Sequence, residues 1–176
     1  MIFEIEEISD KGLDFNVLAA KEQFKINQPD CSLSSNVRVN GKLTRIEQDI
    51  YFAGHLQASL QVDCTRCLKP FPLLVKNKIQ VHFIPRVKEK PSEAEVEIKE
   101  SDIEQEIYKE DRVDLSAPIR DNILLDVPLI RLCNEDCKGI CSECGNDLNN
   151  NQCGCKSEEE IDPRFAVLKT LKKRLK

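Results

Sequence analysis

Six cysteines fall within the 23 residues from Cys133 to Cys155, "CNEDCKGICSECGNDLNNNQCGC". Nothing else in the chain limits its folding so tightly. A run this rich in thiols cannot be a plain helix or strand, and it must either oxidise or bind metal. A tetrahedral site takes four ligands. Within the run, "CSECGN" (Cys141 to Asn146) is a C-x-x-C followed by glycine. Such a knuckle brings two thiolates to one ion, and Gly145 lets the chain reverse beside it. Cys153 and Cys155 follow after eight residues rich in turn formers, which is short enough to fold back. Cys141, Cys144, Cys153 and Cys155 therefore form one expected quartet.

Cys133 and Cys137 are then left over. Far upstream, "DCTRC" supplies a second C-x-x-C, Cys64 and Cys67. The expected second quartet is Cys64, Cys67, Cys133 and Cys137. The rival is a single site using four of the six clustered thiols, with Cys64 and Cys67 as a redox pair or a bare loop. No thioredoxin-like βαβ pattern adjoins that pair, which weakens the redox alternative. Two metal ions are expected and one is allowed. Zn2+ is the first choice, because all-thiolate tetrahedra suit it and the spacings differ from ferredoxin runs. Four thiolates leave no open position for water or substrate, so the metal is expected to be structural and the protein not an enzyme. The ninth cysteine, Cys31, reads as a small apolar residue.

Clustered reduced cysteines belong to a reducing compartment. The start, "MIFEIEEISD", is acidic and has no apolar run of signal-peptide length, and no stretch of about 18 apolar residues occurs. A cytoplasmic protein with no membrane span and no small-molecule substrate is expected. The 176 residues are 40% hydrophobic but only 5% aromatic, so the core must rest on Leu, Ile and Val.

The first half carries strand patterns. Leu13, Phe15 and Val17 alternate, as do Val37, Val39 and Leu43, with Asn40-Gly41 marking a turn or bulge. Phe52, Gly54, Leu56, Ala58, Leu60 and Val62 share one face of a long strand, and Ile79, Val81 and Phe83 share a face of the next. Cys64 and Cys67 sit between those two strands. "AAKEQF" reads as a helical turn. From Glu89 to Asp111 there are ten acids and three lysines, net −7, an exposed excursion. Then Leu115, Ile119, Ile123 and Val127 fall four apart, a helix face that Asp114 or Ser116 can cap and Pro128 ends. A last helix begins at Asp162-Pro163, with Phe165, Leu168, Leu171 and Leu175 as its stripe.

The expected fold class is α+β. An N-terminal antiparallel β-sheet or open barrel (residues 1–85) precedes the acidic excursion (86–111). A helix, the cysteine-rich zinc module and a basic C-terminal helix (112–176) pack on the β domain. The chain has net charge −5, yet the segment from Pro163 to Lys176 carries +6. An acidic body with one basic end is no all-round nucleic-acid binder. Candidate RNA contacts are therefore Lys169, Lys172, Lys173 and Lys176, with Arg66, Lys69 and Lys138 beside the cysteines. His55 and His82 lie in strand patterns without a nucleophile partner. There is no Walker loop and no G-x-G-x-x-G.

Three blocks in order, "VDCTRCLKPF", "ILLDVPLIRLCNEDCKGICSECGNDLN" and "DPRFAVLKTLKKRLK", resemble the YceD family, the large ribosomal RNA subunit accumulation proteins of bacteria and plastids. The family's C-x-R-C motif falls on Cys64, Arg66 and Cys67, and its terminal helix on Asp162-Pro163. The resemblance implies a non-enzymatic role in large-subunit ribosome biogenesis, supporting 23S ribosomal RNA accumulation. The implied partner is the large-subunit pre-ribosome, through its RNA or a ribosomal protein. A zinc-ribbon interaction module unconnected with ribosomes is the alternative, and a thiol redox protein a further one.

Overall fold

A computed structural model describes residues 1–9, 11–86 and 105–155. Nine strands and one α-helix lie in these residues, so the fold is mostly β. The expected C-terminal helix falls outside them, with Lys169, Lys172, Lys173 and Lys176, and so does most of the acidic excursion.

The main sheet is built on two long strands, β6 (Asp49–Asp63) and β7 (Pro70–Pro85), paired antiparallel from Ile50↔Phe83 to Asp63↔Pro70. The other edge of β6 is shared. Its first half pairs with β5 (Val37–Ile46), and its second half with the short β4 (Cys31–Leu33). Outside these lie β2 (Leu13–Ala19) on β5 and β3 (Asn27–Gln28) on β4. β8 (Gln105–Tyr108), at the end of the expected excursion, joins β7 in parallel. β2 and β8 do not pair with each other, so the sheet is open. A separate ribbon joins β1 (Ile2–Glu4) to β9 (Arg112–Asp114).

Period-two alternation decides which face is buried. Val37, Val39 and Leu43 of β5 face Leu56, Phe52, Ala58 and Leu60 of β6 and Val75, Ile79 and Phe83 of β7 in one core. The helix, α1 (Ser116–Leu125), closes that core with Ile119 and Ile123, preceded by the buried Leu115. The N-cap position falls on Leu115, between the two expected caps, and makes no side-chain cap bond; Asp114 Oδ1, one residue earlier, accepts the Ser116 N–H at 2.8 Å. Asn77 of β7 holds the other end, donating to Asn122 at 2.9 Å and Asp126 at 3.1 Å. Lys21–Phe24 forms a 3-10 turn that buries Phe24, and Cys31 is a core residue at 3% exposure.

Asn40-Gly41 is neither a turn nor a bulge. Both residues lie inside β5, and Gly41 pairs directly with Gly54. A Cβ on Gly41 would stand 2.5 Å from the Ala53 carbonyl oxygen and 2.7 Å from the Phe52 ring. The glycine thus serves close approach of backbone and ring, a second use of glycine in strands. Phe52 lies against the glycine pair and stacks on Phe15 at 5.5 Å.

Candidate metal centres

Cys64 is the next step in the buried alternation of β6, after Leu60 and Val62. The strand that builds the core therefore delivers a thiol to its end. There the chain turns through Thr65, Arg66 and Cys67 into β7. The turn is closed by Leu68 N–H donating to the Cys64 carbonyl at 2.9 Å and Cys64 N–H donating to the Lys69 carbonyl at 2.9 Å. The second knuckle repeats this pattern. Gly145 N–H donates to the Cys141 carbonyl at 2.9 Å, and Cys141 N–H to the Asn146 carbonyl at 2.8 Å. Residue five of each turn is left-handed: Leu68 at φ 59° and Gly145 at φ 72°. A left-handed residue lets the chain double back and aim its N–H groups at the first sulfur.

The structure brings eight thiols together as two groups of four. In each group all four Sγ atoms lie within 4.8 Å of one another. The first is Cys64, Cys67, Cys133 and Cys137. Cys64 and Cys137 stand 3.7 Å apart and Cys67 and Cys133 3.5 Å. A tetrahedron with metal–sulfur bonds of about 2.3 Å has edges of about 3.8 Å. A disulfide needs sulfurs at about 2.05 Å. The spacing thus fits four thiolates around one ion. The second group is Cys141, Cys144, Cys153 and Cys155. Each group can hold a metal ion, and the all-sulfur donor set is compatible with zinc.

The two groups are built differently. In the first, Cys64, Cys67 and Cys137 are buried, packed with Phe71 and Leu132, while Cys133 is exposed. Its ligands come from two stretches 66 to 73 residues apart in sequence. In the second, all four lie within 15 residues and are half-buried or exposed.

Backbone contacts dock the cysteine-rich stretch on the sheet's end. Thr65 N–H donates to the Arg131 carbonyl at 2.8 Å, and Ile140 N–H to the Arg66 carbonyl at 3.2 Å. Arg66 itself donates from Nη1 to the Cys137 carbonyl at 3.0 Å. Lys69 forms an ion pair with Asp147, and Arg131 with Asp30. Lys138 presents an exposed side chain while its N–H donates to Asn149 Oδ1 at 2.8 Å.

Asn149 is the site residue that spacing did not reveal. Its Nδ2 lies 3.5 Å from Cys137 Sγ and 2.7 Å from Asp147 Oδ1. One side chain from the second group's loop thus supports a sulfur of the first. The only sequence signal was the run of Asn and Asp in "GNDLNNN", which marks turns and not ligand support.

The protonation of the thiols follows the knuckle geometry. Burial opposes ionisation of Cys64, but N–H groups of Cys67, Cys133 and Arg66 outweigh it and bring the thiol down to about 6. The N–H of Cys144, the Cys153 thiol and the N–H of Glu143 bring Cys141 down to about 7. The hydrogen bond with Cys67 leads in pushing Cys133 up to about 12, and that with Cys144 does the same for Cys155. Before a metal binds, each quartet thus combines one thiol that ionises readily with one that resists ionisation, and a metal ion would displace the remaining protons.

Residues 52–172 match the family described as large ribosomal RNA subunit accumulation protein YceD. The chain belongs to the YceD family. An uncharacterized protein of Mycobacterium tuberculosis is 30% identical over 127 residues, covering 72% of this chain and 58% of its own length. The large ribosomal RNA subunit accumulation protein YCED homolog 1, chloroplastic, of Zea mays is 30% identical over 161 residues, covering 76% of this chain and 54% of its own. The uncharacterized protein YlbN of Bacillus subtilis is 24% identical over 182 residues, covering 98% of this chain and 95% of its own. The chain thus spans a little over half the length of the mycobacterial and maize relatives. No solved structure matches it. Among the described residues, no helix is long and apolar enough to cross a membrane.

Proposed function

We propose that this chain is a non-enzymatic, zinc-stabilised factor of the cytoplasm that supports accumulation of large-subunit ribosomal RNA. The observation that carries this is the family match over residues 52–172, together with the role for which the maize relative is named. The thiol quartets support the structural half of the proposal. Four sulfurs fill a tetrahedron and leave the ion no position for substrate. Zinc joining Cys64 and Cys67 to Cys133 and Cys137 ties the cysteine-rich stretch to the sheet with energy available only on folding. The partner is the large-subunit precursor.

The test is genetic. In a bacterium lacking its own copy, the 23S to 16S ribosomal RNA ratio should fall. The intact chain should restore it, and a Cys64→Ser, Cys137→Ser double variant should not. An unchanged ratio in the deletion strain would remove the ribosomal proposal.

A further inference from the structure

The sheet's outer face has no role in the metal sites. The register gathers cations there that lie far apart in sequence. Arg38 of β5, Gln57 of β6 and Lys76 of β7 form one cross-strand row. Asn40, His55 and Lys78 form the next, and Lys42, Ala53 and Gln80 the one after. All nine residues are exposed. Arg38 and Lys42 lie on β5 and Lys76 and Lys78 on β7, on either side of β6, so the two cation-bearing strands are about 9.6 Å apart, with steps of about 6.8 Å from Lys76 to Lys78 and about 13.6 Å from Arg38 to Lys42. Two adjoining open depressions, of about 740 and 420 Å³, share Asn40, His55 and Lys78 in their walls. Among the residues lining them, Asp14 is the one carboxylate, 4.0 Å from Lys42. Arg38, Lys76 and Lys78 have no ion-pair partner among the described residues.

In a chain of net charge −5 this is a local reversal of sign. Like charges gathered on one face repel and cost stability when nothing neutralises them. A polyanion supplies that neutralisation. Side-chain amides at Asn40, Gln57 and Gln80 add hydrogen-bond donors of the kind that contact phosphate and sugar without reading sequence. Strand spacing sets the cations out as a grid and not as a single anion pocket, which matches an extended backbone of repeated charges.

We propose that this outer sheet face, centred on Arg38, Lys76 and Lys78, binds the phosphate backbone of RNA. It rests on the ribosomal function proposed above and places the RNA contact on the sheet, away from both cysteine groups.

The test is fluorescence anisotropy of the full, zinc-loaded chain with a fluorescein-labelled 20-nucleotide RNA hairpin, at several salt concentrations. The Arg38→Glu, Lys76→Glu, Lys78→Glu variant should bind at least tenfold more weakly. The dependence of log affinity on log salt should flatten by about 2 to 3, as expected when three phosphate contacts are lost. A matching thermal melt shows that the variant is folded. A second variant, Lys169→Glu, Lys172→Glu, Lys173→Glu, Lys176→Glu, should retain most of the affinity. Absence of hairpin binding by the intact chain would overturn the proposal. So would full affinity in the sheet variant, or loss confined to the second variant. The genetic test stands apart. An unchanged 23S to 16S ratio in the deletion strain removes the ribosomal proposal, whereas the titration alone decides the sheet face.

Discussion

At the residue scale, the two knuckles are one backbone solution written with different fifth residues. Gly145 adopts its left-handed φ freely, and a Cβ there would meet nothing within 4 Å. Gly145→Ala is therefore expected to cost only the backbone penalty, about 1 kcal/mol. Leu68 already bears that penalty, and its side chain is 62% exposed. Leu68→Gly should be neutral or stabilising by up to about 1 kcal/mol, once the glycine's extra unfolded-state entropy is counted. Thermal unfolding of the zinc-saturated proteins separates the two. A substantial loss for Leu68→Gly would mean that the apolar side chain matters more than its φ. Asn149→Ala, which removes the donor to Cys137 Sγ, should weaken metal retention at the first site about tenfold or more, measured by chelator competition.

The thiols also set a pH dependence. A cysteine with a depressed pKa favours the folded chain above its ordinary value of 9.0 and loses that advantage as pH falls through the folded value. That value is about 7 for Cys141 and about 6 for Cys64. As pH drops from 8 to 5, the second site, whose four thiols are half-buried or exposed, should release its ion before the first, three of whose thiols are buried. Native mass spectrometry along that titration should show a one-ion species before the metal-free chain. Simultaneous loss of both ions would contradict the ordering.

At the scale of elements, the long strands are the parts most open to sequence reading. Alternation from Ile50 to Val62 marks the buried face of β6, and the same period extended two residues further marks Cys64 as buried. The four-apart stripe from Leu115 gives α1, because a helix facing a core must repeat at that interval. What alternation cannot give is register, because it labels a residue's face and not its neighbour. That is why Gly41 looked like a turn signal. Its partner Gly54 and the ring of Phe52 are visible only once β5 and β6 are aligned. For the same reason Arg38, Lys76 and Lys78 read as ordinary outward residues until the register sets them in rows on one face. Gly54→Ala tests the close approach, since its Cβ would stand 2.4 Å from the Asn40 carbonyl oxygen and 2.7 Å from the Phe52 ring. Backbone cannot move aside cheaply, so a loss of about 1 to 3 kcal/mol is expected in urea unfolding. A neutral result would mean that β5 and β6 separate more easily than their pairing implies.

For the whole molecule, the two metal sites have different structural consequences. The second is local, and losing it should loosen one loop. The first joins the sheet's end to the stretch that follows α1. The eight cysteines could be paired from spacing because C-x-x-C brings two thiols to one point. Asn149 and the ion pair of Lys69 with Asp147, which couple the two sites, depend on side chains meeting across the fold and leave no spacing to read. Two separate thiolate quartets should hold two ions, one of them across the chain. Native mass spectrometry of the purified chain and of its Cys137→Ser and Cys155→Ser variants tests this most directly. The intact chain should carry two zinc ions, and each variant one. Cys137→Ser should also lower the melting temperature far more than Cys155→Ser does. One ion in the intact chain, or loss of both ions in Cys155→Ser, would contradict the account.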